Sequence, residues 1–266
     1  MQRIARLIGL LVLSGLSLQL YFVSRIGLMA VLGPQSTTFQ RSEMARILFS
    51  RGQLPWAQEW RPGNQISDNL RRAVIASEDA NFVDHHGVEW DALESAWRRN
   101  SRAQAKVDKI KEQSQARYAR AVERAQKRGR KPPEPPTPAN QPAAKVVGGS
   151  TITQQLAKNL FLSSERNFVR KGQEFVITFM LEGLLSKDRI LDIYLNNVEW
   201  GEGVFGAQAA ARHYFHVDAS QLGAQQAARL AVMLPAPKRF EQNPSSGYIL
   251  GRSGMITARM GAVEIP

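Results

Sequence analysis

Glu78 and Asp79 close a run in which Leu70, Ala73, Val74 and Ser77 recur at spacings of three and four, so two carboxylates leave a helix into a loop carrying Phe82, His85, His86 and Gly87. A helix C-terminus disfavours negative charge, and partial burial would then lift the Glu78 carboxyl towards the range that suits a general base. A second cluster opens at Gly148-Gly149-Ser150, where Thr151 and Gln154 have the form of a capping box and Gln154, Gln155 and Lys158 share a face. Free N–H groups at such a helix start suit an anion such as phosphate. Third, Arg166, Arg170 and Glu174 fall on one helical stripe with Lys171 beside them, cations that could neutralise a diphosphate leaving group. Each cluster also has a plain reading: an exposed acidic pair, a solvated helix face, and simple i, i+4 ion pairs. Asn196, before the Gly201-Glu202-Gly203 turn, reads as a helix C-cap. His85, His86, His213 and His216 fit no zinc-binding spacing, and no GxSxG, Walker A or GxGxxG lies in a strand-to-helix context.

The elements that must position these groups are helical. Periodicity predicts a helix from Ile66 to Glu78, one opening at Thr151, and others over about 168–186, 187–196, 207–214 and 222–233, the last stopped by Pro235 and Pro237. Residues 27–63 mix Phe39, Met44, Ile47, Trp56 and Trp60 with basic side chains, and fit either the bilayer interface or the first wall of a core. No alternating strand of any length stands out, so the fold is read as mainly α with at most a small sheet.

The chain has 266 residues, no cysteine and a net charge of +12. That size allows one domain or two and a core that needs no staples, and the missing cysteines exclude disulfide scaffolds, zinc ribbons and thiol nucleophiles. Residues 7–24 carry no charge, with Arg3 and Arg6 before them and Arg25 after. This reads as an uncleaved anchor with a cytoplasmic N-terminus, because a secretory signal has a shorter apolar core and a small-residue cleavage site. Between residues 98 and 145, fourteen Lys and Arg stand against four acids, so this segment holds +10 of the +12. Its first part reads as a solvated helix and its second, with six of the 13 prolines, as a stiff linker. An anionic headgroup surface or a diphosphate lipid suits such charge. Nucleic acid is not expected, since the segment has one aromatic, Tyr118, where single-strand binders interleave several.

In order along the chain stand Glu78-Asp79-x-x-Phe82-x-x-His85-His86-Gly87, Gly148-Gly149-Ser150-Thr151-Ile152-Thr153-Gln154-Gln155-Leu156-Ala157-Lys158-Asn159, Arg170-Lys171-x-x-Glu174, Ser186-Lys187-x-x-Ile190-Leu191-x-x-Tyr194-Leu195-Asn196, and Ala210 to Tyr214-Phe215. Together they resemble the successive motifs of the bacterial peptidoglycan glycosyltransferases, over nearly the whole region after the anchor. The resemblance implies a mainly α, lysozyme-like glycosyltransferase domain with a small membrane-touching lobe, preceded by one N-terminal transmembrane helix. Expected divisions are residues 1–27 for the anchor, 28–65 for a membrane-proximal segment and 66–266 for the enzyme, with a basic, Pro-rich insertion at about 100–146. The residues after Pro244 leave no room for a transpeptidase domain, which points to the monofunctional kind.

The implied reaction polymerises lipid II into β-1,4-linked glycan and releases undecaprenyl diphosphate, with inversion by single displacement. By the same resemblance Glu78 is the base and Glu174 the second carboxylate. Lys158, Arg166, Arg170 and Lys171 become the diphosphate cations, and Ser150, Gln155 and Asn159 polar cleft residues. A divalent cation, Mg²⁺ or Mn²⁺, would serve as an electrostatic clamp. Implied partners are lipid II, the growing glycan strand, the bilayer and cell-wall synthesis or division proteins, at the bacterial inner membrane with the catalytic domain periplasmic. Three departures stand out: the insertion makes a normally short segment about 40 residues longer, Glu89 replaces the usual Asp, and Gln226 replaces the usual Glu. A muramidase-like hydrolase would also use two carboxylates but needs no cations for diphosphate. An inactive scaffold would be expected to lack the base or the cations.

Overall fold

The computed structural model describes residues 2–131, 133–135, 148–162 and 167–266, with the backbone alone of Phe168. Residues 1–88 with 150–266 form one compact unit, and residues 89–149 another.

In the first unit, α1 (Gln2–Leu28) is long and apolar enough to cross a membrane, with most of its large apolar side chains exposed. Its C-terminal part packs on the domain. Phe22 and Ile26 are buried, Phe22 meets the Phe161 ring edge-on at 5.2 Å, and Arg189 donates to the Met29 carbonyl at 2.7 Å. Gln19, the one amide side chain within the apolar run, exchanges hydrogen bonds of 3.0 and 3.1 Å with Gln173, which spares both groups an unpaired position.

The segment after the anchor is a helix, α2 (Thr38–Arg51), bounded by a Thr37–Gln40 capping box and by Gly52 in the left-handed region. It packs against α5, so this part of residues 27–63 is a wall of the core. Then come β1 (Ala57–Gln58) and α3 (Asp68–Glu78), which starts at an Ser67 cap and buries Leu70, Ala73 and Val74 on its predicted face. After the second unit, α5 (Ile152–Phe161) has the predicted Thr151–Gln154 box, with bonds of 3.2 and 3.1 Å. It is followed by α6 (Phe168–Leu184), α7 (Lys187–Asn197), β2 (Glu199–Gly201), β3 (Val204–Phe205), α8 (Ala207–Phe215), α9 (Ala224–Met233), the short α10 (Pro237–Phe240) and α11 (Gly247–Arg259).

The core lies where α3 packs against α9 and α11, and where α5 packs against α6 and α7. The sheet is as small as expected: β3 pairs parallel with β1 and antiparallel with β2. Gly203, in the β2–β3 turn, has φ +75°. Asn196 is not the helix cap that its position suggested, since α7 continues past it to Asn197. Its amide instead brackets the Arg61 backbone, accepting from that N–H at 2.7 Å and donating to its carbonyl at 2.8 Å.

The second unit is built on α4 (Trp90–Lys127). Nine of its ten Lys and Arg, among them Arg98, Arg102, Lys109, Arg120 and Lys127, fall within an arc of about 100° on the helix, and all nine are exposed. Ala96 and Val107 are buried.

Candidate active site

Glu78 is the last residue of α3 and is half-buried. Gln155 of α5 donates through Nε2 to Glu78 Oε2 at 2.9 Å, and the Tyr194 hydroxyl of α7 donates to Gln155 Oε1 at 2.9 Å. The fully buried phenol thus fixes which end of the amide faces the carboxylate. Burial pushes the Glu78 carboxyl above the usual range and the neighbouring Asp79 adds to this, while hydrogen bonds from Gln155 and Ser77 pull it down. Burial, with Glu78 and Asp79 nearby, raises Tyr194 well above an ordinary phenol, so it stays a donor.

Asp79 has a different task from its neighbour. Its carboxylate bonds His85 Nε2 at 2.8 Å and accepts from the Ile152 backbone N–H at 3.0 Å, tying the end of α3 to the start of α5. Thr151 Oγ1 donates to the Gly87 carbonyl at 2.6 Å, and Lys187 Nζ to the His85 carbonyl at 2.5 Å. Gly87 itself has φ +85°, and a Cβ there would stand 2.7 Å from Thr178 Cγ2. The residues around the acidic pair are therefore a clamp that holds Glu78 against Gln155.

Gln155, Lys158 and Asn159 of α5, with Leu162 just past its end, form a face that adjoins the buried Ile152, Leu156 and Leu160. Together with Arg170 of α6 they line a cavity of about 370 Å³, in the size range of ligand sites. Glu174 is 4% exposed and is held by Arg170 at 3.1 Å and Lys171 at 2.5 Å, so the ion pairs predicted on this stripe are present. Arg170 Nε–H donates to none of the described residues. Ser150 is exposed, one residue ahead of the α5 cap, and is not among the residues lining the cavity. Arg166 lies outside the described residues.

The structure thus brings Gln155, Lys158, Asn159 and Arg170 to one cavity, with Glu78 attached through Gln155, Glu174 through Arg170, and Lys171 through Glu174. Tyr194 is the participant that residue types alone did not single out. Its signal was its place in the Ile190-Leu191-x-x-Tyr194-Leu195-Asn196 motif, but its partner lies 39 positions away.

Among the described residues no group of three or more His, Asp or Glu could hold a metal ion. The oxygens of Asp79 and Glu174 are already engaged, by His85 and a backbone N–H and by two cations. This donor set does not fit a protein-held divalent cation.

A helical domain with a half-buried carboxylate bonded to the wall of a cavity that bears Lys158 and Arg170, preceded by a helix apolar enough to cross a membrane, fits the class of membrane-anchored enzymes with an anionic substrate. The Transglycosylase family profile matches residues 49–113 and 139–261. The biosynthetic peptidoglycan transglycosylase of Paraburkholderia xenovorans (strain LB400) is 45% identical over 251 residues, covering 94% of this chain and 88% of the relative. That of Herminiimonas arsenicoxydans is 45% identical, covering 94% and 92%. The one from Janthinobacterium sp. (strain Marseille) is 44% identical, covering 96% and 94%. The chain belongs to the transglycosylase family, with its lysozyme-like, mainly helical fold. It is a peptidoglycan transglycosylase, and that is the single activity the family match and these relatives assign to it.

Proposed function

We propose that this transglycosylase polymerises lipid II into β-1,4-linked glycan strands and releases undecaprenyl diphosphate, with inversion by single displacement and Glu78 as the general base. The observation that carries this reading is the Tyr194–Gln155–Glu78 chain, whose middle member Gln155 lies on the cavity wall bearing Lys158 and Arg170. The acceptor 4-hydroxyl attacks the donor C1 and gives its proton to Glu78. The bond from C1 to the diphosphate oxygen breaks, and its electron pair leaves on the diphosphate. A carboxylate raised by burial is a better proton acceptor than an exposed one, and the Gln155 amide keeps it aimed.

Lys158, Arg170 and Lys171 would take the diphosphate charge, with Arg166 completing the set by resemblance. Glu174 orients Arg170 and Lys171. Asn159 and Ser150 would meet polar groups of the sugar chain. The Mg²⁺ or Mn²⁺ of the resemblance would travel with the diphosphate, and it has no step in this account.

In this reading α1 anchors the chain in the bacterial inner membrane with its N-terminus cytoplasmic and the catalytic domain periplasmic, where cell-wall synthesis or division proteins can meet it. The exposed basic face of α4 suits anionic headgroups. The test is incubation of full-length protein in detergent with labelled lipid II. Muramidase-sensitive polymer carrying β-1,4 linkages is expected. A product with retained anomeric configuration, or hydrolysis of pre-formed glycan in its place, would contradict the reading.

A further inference from the structure

The cavity has a second wall that the reaction above leaves without a task. Phe39 and Ser42 of α2, Val198 and Glu199 around the start of β2, and Leu234, Pro235 and Pro237 between α9 and α10 form it. This wall is apolar apart from Ser42 and Glu199. Glu199 is 7% exposed, and its Oε1 accepts no hydrogen bond from the described residues. Lys238 Nζ approaches that oxygen to 3.4 Å, yet its hydrogen bond goes to Glu43, which Arg46 also pairs at 2.8 Å. Two cations therefore serve Glu43 at short range, while Glu199 has only the longer approach of Lys238. A buried carboxylate held only for structure has close donors on its oxygens, because an under-satisfied one costs stability.

The geometry points to Glu199 as a sugar-binding residue: its carboxylate takes a hydroxyl or amide N–H of the glycan held in the cavity, beside the wall of Gln155, Lys158, Asn159 and Arg170. The inference rests on the lipid II reading and deepens it. The two walls sort the two ends of one substrate. The diphosphate goes to the cations, and a carboxylate on the other wall repels it and favours neutral donors. The charged groups acting on Glu199 are Lys238 of α10 and Glu43 and Arg46 of α2. Burial raises Glu199 most, Lys238 lowers it, Glu43 raises it and Arg46 lowers it, leaving it at about 7. Glycan binding is thus expected to weaken as the pH falls below about 7 and this acceptor takes a proton.

The experiment measures KM and kcat for labelled lipid II with full-length wild type, Glu199→Gln and Glu199→Ala in detergent, from pH 5.5 to 8.5, alongside Tm. Glu199→Ala should raise KM roughly tenfold or more with a much smaller change in kcat. Glu199→Gln, which keeps an acceptor oxygen, should restore part of this and lose the rise in KM below pH 7. A purely structural glutamate would instead lower Tm and leave KM and its pH profile as in wild type, which overturns the inference. Equilibrium binding of the same lipid II to Glu78→Gln and to Glu78→Gln/Glu199→Ala keeps the two readings apart. If wild type makes no polymer the lipid II reaction fails, while equal binding by those two variants refutes the Glu199 role alone.

Discussion

The proposed base, Glu78, needs a raised proton affinity and a fixed direction, and different neighbours supply each. Burial and Asp79 raise the carboxyl, while Gln155, set by Tyr194, aims it. The base must be ionised to accept a proton, so kcat should fall as the pH drops through the raised Glu78 value. That inflection lies above the roughly 4.3 of an exposed glutamate, and a pH–rate profile matching an exposed carboxyl would contradict it. Tyr194→Phe removes the donor that orients Gln155. Losing one such bond costs about 1 kcal/mol, so kcat should fall about fivefold with KM little changed. A KM effect alone would show that Tyr194 contacts substrate instead. Glu78 was picked out by the family motifs, because its local pattern alone fits an ordinary exposed acidic pair equally well. Tyr194 was not, because a phenol in a buried apolar helix reads as core until its hydroxyl's partner is known.

The proposed base stands on the junction of α3 with α5, and that junction is made by Asp79, Thr151 and Lys187, to which the proposed reaction gives no step. Asp79 caps the start of α5, Thr151 reaches the Gly87 carbonyl, and Lys187 reaches the His85 carbonyl. Gly87→Ala would force a side chain onto Thr178 and Glu182 at a positive φ, at a cost of about 1–3 kcal/mol. Thermal melts should show Tm a few degrees lower, and an unchanged Tm would mean that the loop relaxes freely. Helices α3, α5, α6, α7, α8 and α9 were legible from spacing and caps. Helix α2 was missed although Thr37 and Gln40 carry the same capping-box signal as Thr151 and Gln154, because aromatic and basic residues interleave along it without a clean apolar stripe. Asn196 was misread because end position and residue type matched a cap, whereas its real partner, the Arg61 backbone, is distant in sequence. The basic face of α4 is an element-scale property too. Reversing Arg102, Lys106, Arg120 and Arg124 to Glu should slow lipid II turnover in anionic nanodiscs, and the deficit should shrink at high salt. Equal rates in anionic and zwitterionic discs would remove the membrane role of this face.

The molecule as a whole couples an apolar anchor to a cation-lined cavity, as a lipid-linked anionic substrate requires. The anchor was legible from one uncharged run, and the family from five short motifs in order. The cavity was only half legible: the α5 face could be drawn on a helical wheel, while the wall of Phe39, Glu199 and Pro237 comes from three separate parts of the chain. The most direct test of the central claim compares polymerisation of labelled lipid II by wild type and Glu78→Gln in detergent. Because Glu78 is raised by burial, the ionised form weakens the fold at neutral pH, so the neutral amide should leave Tm equal or higher. The account predicts a fall in kcat of about 10²–10⁴ with lipid II binding retained. Muramidase-sensitive polymer made by Glu78→Gln at the wild-type rate would contradict it.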